Sequence, residues 1–210
     1  MMKVYTQTWY RGNNYGSVLQ AYALQHIIMD MGYESSILNY KPTKVDLWKL
    51  KFINHSFKET IQYKINEFLM KKNGASSEIN NLTIFDDFRE KHMRITSLCS
   101  TASEIAKVCG SDAVFICGSD QIWNPLFPNG KDPSYYIDFA LSQTKRVSYA
   151  ASFSVEYISD ADKEFVKGML AKMNRISVRE YQGVDILKSL DIKNGVKVLD
   201  PVFLLDRNYW

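Results

Sequence analysis

The first forty residues alternate between a strand pattern, a helix pattern and a second strand pattern, and this alternation constrains the fold more than any other feature. Residues 3–8 predict a strand, and a turn rich in glycine and asparagine follows at residues 11–16. A helix is predicted from near Ser17, because apolar side chains recur on one face at Leu24, Ile27, Ile28 and Met31. Gly32 suits a left-handed helix cap, and residues 35–40 predict a second strand. Two strands joined by a helix pair in parallel, which favours a layered α/β fold.

Residues 41–100 interrupt this alternation and predict an α-helical insertion. Apolar residues recur at helical spacing at Phe57, Ile61, Ile65 and Phe68. A further helix is predicted over residues 84–93. Residues 101–104, with the sequence Thr-Ala-Ser-Glu, match a capping box that begins a short helix after the insertion.

The alternation of strands and helices resumes after the insertion. Residues 113–117 are continuously apolar and predict a buried central strand. Further strands are predicted at residues 135–139, 146–153, 176–179 and 196–199, with one helix capped by Ser159 and another over residues 183–190. We therefore expect a single α/β domain over residues 1–210, Rossmann-like, with a mainly parallel sheet and helices on both faces.

Composition excludes several classes of function. The net charge of +3 is too small to favour a nucleic-acid binder, and no window approaches the ~20 apolar residues of a membrane span. The three cysteines, Cys99, Cys109 and Cys117, lack the C-x-x-C spacing of zinc or redox sites. We expect a protein of the reducing cytoplasm with no metal and no bound cofactor.

The turn after the first strand is the first candidate binding loop. Its candidate residues are Asn13, Asn14, Tyr15 and Gly16. Backbone amides in such a turn, together with the N-terminus of the following helix, suit a phosphate or carboxylate. The alternative is that glycine and asparagine serve only the geometry of the turn.

The loop after the predicted central strand is the second candidate. Its candidate residues are Gly118, Ser119, Asp120, Gln121, Trp123 and Asn124. An aspartate beside an aromatic ring is typical of sugar-binding sites, whereas the alternative is that Ser119 or Asp120 caps a turn and Trp123 fills the core. Ligands of open parallel sheets bind beyond the carboxyl ends of the strands, so we expect Asn14, Asp120 and Trp123 to line one cleft.

Few residues outside the two loops are candidates for chemistry. Arg179 ends a predicted strand and is a candidate ligand-binding residue, or it pairs with Glu180 on the surface. Cys117 is expected to pack in the core, and no catalytic role is assigned to the three histidines, which are His26, His55 and His92.

The two loops closely resemble the paired motifs of the polysaccharide pyruvyl transferase family, with GNNYGSVLQAYALQ at residues 12–25 and GSDQIWNP at residues 118–125. The likeness continues through YYIDF at 135–139, SYAASF at 148–153, ISVRE at 176–180 and LDPVFLL at 199–205. It implies a bacterial enzyme that transfers a pyruvyl group from phosphoenolpyruvate to a sugar of a cell-surface polysaccharide. It also implies two Rossmann-like domains that face a cleft, as in many glycosyltransferases.

The resemblance further implies which half of such an enzyme this chain represents. Family members normally continue past the Asp-Pro segment at residues 200–201 into a second domain, which is expected to hold the donor-binding histidine and arginine. We therefore expect residues 1–210 to be the N-terminal, acceptor-binding half, inactive by itself and lacking that second domain. The catalytic residues are unknown.

Two other functions stay open at this point, a non-catalytic carbohydrate-binding or scaffold domain and half of a nucleotide-sugar glycosyltransferase. The expected partner is a glycan acceptor, and a lipid-linked acceptor would place the protein at the inner face of the membrane. Residues 41–72, with eight lysines and three acidic residues, would contact an anionic membrane there, or are simply a solvated face. The apolar residues 202–205 and 209–210 suggest a homodimer.

Overall fold

Four parallel strands form the centre of the structure, a computed structural model that describes residues 2–43, 79–110 and 112–210. They are β1 (Lys3–Gln7), β2 (Glu34–Ile37), β3 (Ala113–Cys117) and β4 (Arg146–Ser148), in the spatial order β2-β1-β3-β4. Strand β1 pairs with β2 on one side and with β3 on the other. The apolar sequence of β3 fits this central place, because a central parallel strand is covered on both faces.

Two more strands extend the sheet beyond β4. Strands β5 (Ile176–Val178) and β6 (Gly195–Lys197) pair in parallel, and isolated bridges join β5 to the chain around β4. Ser148 and Ser177 reinforce this junction, because each hydroxyl donates to the other residue's carbonyl, at 2.9 and 2.8 Å. The α/β, mainly parallel architecture predicted from the sequence is therefore confirmed.

Five α-helices lie in the described residues, and they cover both faces of the sheet. They are α1 (Tyr15–Asp30), α2 (Ile79–His92), α3 (Ala102–Cys109), α4 (Asp160–Leu170) and α5 (Tyr181–Ser189). The side chains of alternate residues of β1 point to opposite faces of the sheet. Val4 packs with Leu24 and Ile28 of α1, whereas Tyr5 packs with Ile105 of α3. The predicted Thr101 cap of α3 is present, since its hydroxyl accepts from the Glu104 amide at 3.2 Å, but the Glu104 carboxylate accepts from the Ser100 amide at 2.7 Å and not from the cap residue as in a capping box.

Two predicted strands are wrong in whole or in part. Residues 135–139 do not form a strand; a 3-10 helix spans Pro133–Tyr136, because the Asp132 carboxylate accepts from the Ser134 amide and Pro133 offers no amide to a sheet. The strand predicted over residues 146–153 ends at Ser148, and Ala150 adopts a left-handed conformation (φ 51°) that interrupts the ladder.

The predicted helical insertion is confirmed only in part. Helix α2 lies within it, but residues 93–99 are not helical and run beside β2 with parallel bridges from Ile37 to Ile95 and from Tyr40 to Cys99. Residues 44–78, including most of the lysine-rich segment, lie outside the described residues. Among the residues described, no helix has both the length and the apolar character that crossing a membrane requires.

Trp123 is part of the core and does not line a cleft. Its side chain is 0% exposed, stacks on Tyr136 with ring centroids 5.6 Å apart, and contacts Phe153. The indole N–H donates to the Tyr135 carbonyl at 3.2 Å. The prediction that Trp123 contacts a ligand is therefore wrong, and the alternative of core packing is correct.

Replacement of Trp123 tests this assignment to the core. We expect Trp123→Ala to lower the free energy of unfolding by about 3–5 kcal/mol, because the truncation leaves a cavity beside Tyr136. Urea denaturation followed by circular dichroism measures the change. Tyr157→Ala is the matched control, since Tyr157 is 74% exposed, and it should change stability by less than about 0.5 kcal/mol. Equal effects of the two variants would contradict the assignment.

Candidate functional site

The order of the strands creates a crevice between the carboxyl ends of β1 and β3. The chain leaves β1 toward β2 on one side of the sheet and leaves β3 toward β4 on the other side. In open parallel sheets, ligands bind in the crevice at such a reversal of strand order. Both motif loops follow these two strands, so the topology brings them to the same place.

The first loop is held in shape by hydrogen bonds at both of its ends. Asn14 is the N-cap of α1, and its side-chain oxygen accepts from the Ser17 amide at 3.1 Å. Arg89 of α2 donates to the carbonyls of Tyr10 and Gly12, at 3.1 and 3.2 Å. Asn14 therefore stabilises the geometry of the turn, which was the alternative to a binding role. It also lies at the crevice.

The second loop turns sharply where β3 ends. Gly118 has φ +112°, and a Cβ at this position would lie 2.2 Å from the Tyr149 carbonyl oxygen. The Ser119 hydroxyl donates to the Ala150 carbonyl at 2.7 Å, and the Asp120 carbonyl accepts from the Ser152 amide at 3.0 Å. These contacts lock the loop against the segment that follows β4.

The buried side chain of Gln20 in α1 joins the two loops. The two N–H groups of its Nε2 are shared among three acceptors, the Thr8 hydroxyl, the Trp9 carbonyl and the Ser17 carbonyl, at 3.0, 2.9 and 2.8 Å. Its Oε1 accepts from the Ser119 amide at 3.0 Å. A second link crosses the crevice, where the Ser17 hydroxyl donates to Asp120 Oδ2 at 2.5 Å. The two loops therefore form one hydrogen-bonded unit.

A cleft of about 560 Å³ opens beside this unit, and its lining mixes charged, amide and aromatic groups. The lining residues are Trp9, Asn14, Gly16, Ser17, Asp120, Gln121, Arg179, Asp200, Val202 and Phe203. Arg179 donates to Glu180 Oε1 at 2.6 Å and to Asp200 Oδ2 at 3.0 Å. Burial acts to lower the pKa of Arg179, but its ion pairs with Glu180 and Asp200 raise that pKa above the ordinary value. Arg179 is therefore a paired cation that also faces the cleft.

The structure brings together five of the candidate residues named from the sequence and keeps the others apart. Asn14, Gly16, Asp120, Gln121 and Arg179 line the cleft, and their binding role stays a prediction. Ser119, Trp123 and Asn124 are buried, whereas Gly118 serves the backbone turn. Asn13 and Tyr15 are exposed residues outside the lining, and the Tyr15 ring packs against Phe85.

Sequence reasoning missed five lining residues: Trp9, Ser17, Asp200, Val202 and Phe203. Trp9 follows β1, and Trp123 follows β3. The argument that ligands bind beyond the carboxyl ends of the strands therefore applied to Trp9 as well as to Trp123. Asp200 caps the 3-10 helix at Pro201–Leu204 and accepts from the Val202 amide at 3.1 Å, which carries Phe203 to the rim of the cleft. In the sequence, the Asp200-Pro201 pair could have indicated this cap, because proline is common at the first position of a helix.

Other reactive residues lie away from the cleft. Cys117 is 0% exposed, and burial raises its pKa well above that of an ordinary thiol. His26 and His92 pack against the Tyr22 ring, and His55 lies outside the described residues. Within the described ranges, no group of three histidine, cysteine, aspartate or glutamate side chains could hold a metal ion.

Comparison with known proteins agrees with the resemblance carried by the two motifs. A family model described as polysaccharide pyruvyl transferase matches residues 14–210. No match was found among curated proteins or among solved structures. Because the family model covers most of the chain, the chain belongs to the polysaccharide pyruvyl transferase family. Family membership indicates a transferase of polysaccharide biosynthesis.

Gly118→Ala tests how strictly the second loop depends on its turn. The added methyl group would meet the Tyr149 carbonyl in a backbone conformation that alanine rarely adopts, so we expect a loss of about 1–3 kcal/mol in unfolding free energy. Thermal and urea denaturation measure the loss. Gly12→Ala is the control, because a Cβ at Gly12 meets no atom within 4 Å. If both variants were as stable as the wild type, the turn would not need glycine.

Proposed function

We propose that this member of the polysaccharide pyruvyl transferase family holds the sugar acceptor in the cleft between its two motif loops. The sugar belongs to a cell-surface polysaccharide and receives a pyruvyl group from phosphoenolpyruvate. The observation that carries the proposal is the lining of the cleft, where Asp120, Asp200, Asn14 and Gln121 offer carboxylates and amides beside aromatic rings. A sugar presents several hydroxyls that both donate and accept, together with apolar C–H faces, so it matches this mixed surface.

The chemistry of the transfer explains why the acceptor must be oriented. Two hydroxyls of one sugar form bonds to C2 of phosphoenolpyruvate, and the phosphate leaves with the C2–O bond broken. One hydroxyl proton goes to the methylene carbon, which becomes a methyl group, and the other leaves with the phosphate. Both hydroxyls must therefore face one carbon atom, and holding reactants in such a geometry lowers the barrier substantially.

Asp120 is the residue of this cleft best placed to orient a hydroxyl. Its Oδ2 accepts from the Ser17 hydroxyl at 2.5 Å, and its Oδ1 accepts from the Gln121 amide at 2.8 Å. Each carboxylate oxygen has a second lone pair, so Asp120 can accept one more hydrogen bond without losing these two. A sugar hydroxyl that donates to this carboxylate becomes a better nucleophile, because its proton is partly withdrawn.

Arg179 and Asp200, which both line the cleft, form an ion pair. Two of the five N–H donors of Arg179 are used by Glu180 and Asp200. The remaining donors can bond sugar oxygens, while the carboxylates keep the guanidinium in position.

Aromatic side chains complete the site. Trp9 lies at the end of β1 and contacts the Phe127 ring edge-on, with centroids 5.6 Å apart, so its position is defined. Phe203 is 70% exposed at the rim of the cleft. A pyranose ring laid against such rings buries its C–H face while its hydroxyls reach the polar residues.

Asp120→Asn is the sharpest test of the acceptor site. The substitution keeps the shape of the side chain but removes its charge, so we expect affinity for the acceptor glycan to fall about ten- to hundredfold. Calorimetric titration of wild type and variant with a panel of bacterial surface glycans measures the change.

The matched control is Asp160→Asn, which removes one carboxylate from the exposed start of α4. It should bind glycans as the wild type does, and the melting temperatures of all three proteins report folding. Unchanged glycan affinity in the Asp120→Asn variant, or an equal loss in both variants, would show that acceptor sugars bind elsewhere.

A further inference from the structure

A second cavity, of about 320 Å³, adjoins the cleft and differs from it in charge. Its lining residues are Thr8, Trp9, Tyr10, Arg11, Gly12, Ser17, Tyr40, Lys41, Pro42 and Tyr135. Trp9 and Ser17 line both spaces. We call this cavity the Arg11–Lys41 pocket.

The Arg11–Lys41 pocket is electropositive. Arg11 and Lys41 contribute two cationic groups, and no carboxylate belongs to its lining within the described residues. The Arg11 guanidinium donates to the neutral side-chain oxygen of Asn39 and lies 5.6 Å from the centre of the Tyr10 ring. The cleft next to it is lined instead by two carboxylates and one cation, from Asp120, Asp200 and Arg179.

The acidic residues on neighbouring elements lie outside the lining of the pocket. Asp132, behind the pocket wall, accepts from the Tyr40 hydroxyl at 2.9 Å and from the Ser134 amide at 2.8 Å. On its far side Arg11 borders a groove that Asp86 and Glu90 line, and Asp86 pairs with Arg89 at 2.6 Å. Among the residues described, Arg11 donates to the neutral Asn39 oxygen and forms no ion pair.

From this arrangement we infer that the Arg11–Lys41 pocket binds a phosphate group of the acceptor. A phosphate ester carries a charge of about −1.5 to −2, which two cations neutralise, whereas a sugar carboxylate carries only one negative charge. A guanidinium presents a planar pair of donors to two phosphate oxygens, and an ammonium adds a compact charge. The backbone amide of Gly12, which also belongs to the lining, can add a further donor. The hydroxyls of Thr8 and Ser17 already donate to the Ser119 carbonyl and to Asp120.

The shared wall defines the substrate class. Because Trp9 and Ser17 line both spaces, one molecule can place its sugar ring in the cleft and its phosphate in the Arg11–Lys41 pocket. The acceptor is then a sugar phosphate, either a free monoester or a sugar carried on a lipid through a diphosphate, which also has two negative charges, and not a finished neutral polysaccharide. This inference rests on the proposed acceptor function of the cleft.

The test compares phosphate-bearing and neutral ligands. Calorimetric titrations use glucose 1-phosphate, inorganic phosphate, methyl glucoside and phosphoenolpyruvate with the wild type and with the double variant Arg11→Gln/Lys41→Gln. We expect the double variant to bind glucose 1-phosphate and inorganic phosphate at least about tenfold more weakly, because charged hydrogen bonds are lost. Lys107→Gln/Lys163→Gln is the charge-matched control on α3 and α4, and it should bind both as the wild type does.

The outcomes separate this inference from the proposed function. Absence of phosphate binding, or equal loss in the two double variants, would overturn the inference while the Asp120-dependent binding of neutral glycans still stood. Tighter, Arg11-dependent binding of phosphoenolpyruvate than of glucose 1-phosphate would also overturn it and assign the pocket to the donor. Flotation with phosphatidylcholine vesicles, with and without a polyprenyl phosphate, distinguishes the lipid-borne source from the free one.

Discussion

The site depends on one buried amide side chain, that of Gln20. It is 1% exposed and makes four hydrogen bonds, to groups in the segment after β1, in the first turn of α1 and in the loop after β3. A glutamine can satisfy acceptors and a donor at the same time, whereas a carboxylate or an apolar side chain of equal size would leave buried groups unpaired. The two motif loops are therefore held together by a residue that lines neither cavity.

Charge is divided across this unit in a way that gives the two cavities different chemistry. The cleft is lined by the carboxylates of Asp120 and Asp200 with the paired cation Arg179, whereas the Arg11–Lys41 pocket is lined by two cations and no carboxylate among the described residues. The two cavities adjoin because the loops of β1 and β3 meet where the strand order reverses. A ligand with a neutral, hydroxylated part and an anionic part fits both spaces at once.

Local patterns predicted the architecture well, because the strands, the caps and the meeting of two loops at one sheet edge follow from short-range chemistry. The local patterns failed where contacts with residues distant in the sequence determine the local structure. Trp123 turns inward because Tyr136 stacks on it and Phe153 contacts it, and the segment from Pro133 is helical because Asp132 caps it. In the sequence, nothing distinguishes Gln20 from other polar helix residues, because its bond to the loop after β3 exists only when β3 pairs with β1.

Amide hydrogen exchange of a Gln20→Met variant tests most directly whether this side chain unites the loops. The variant keeps the length of the side chain but removes every hydrogen bond that it makes. The account predicts that residues 8–12 and 118–121 both exchange faster, by about tenfold or more at the Ser119 amide, while β5 and β6 keep wild-type rates. Faster exchange confined to α1, or spread evenly over the chain, would contradict it.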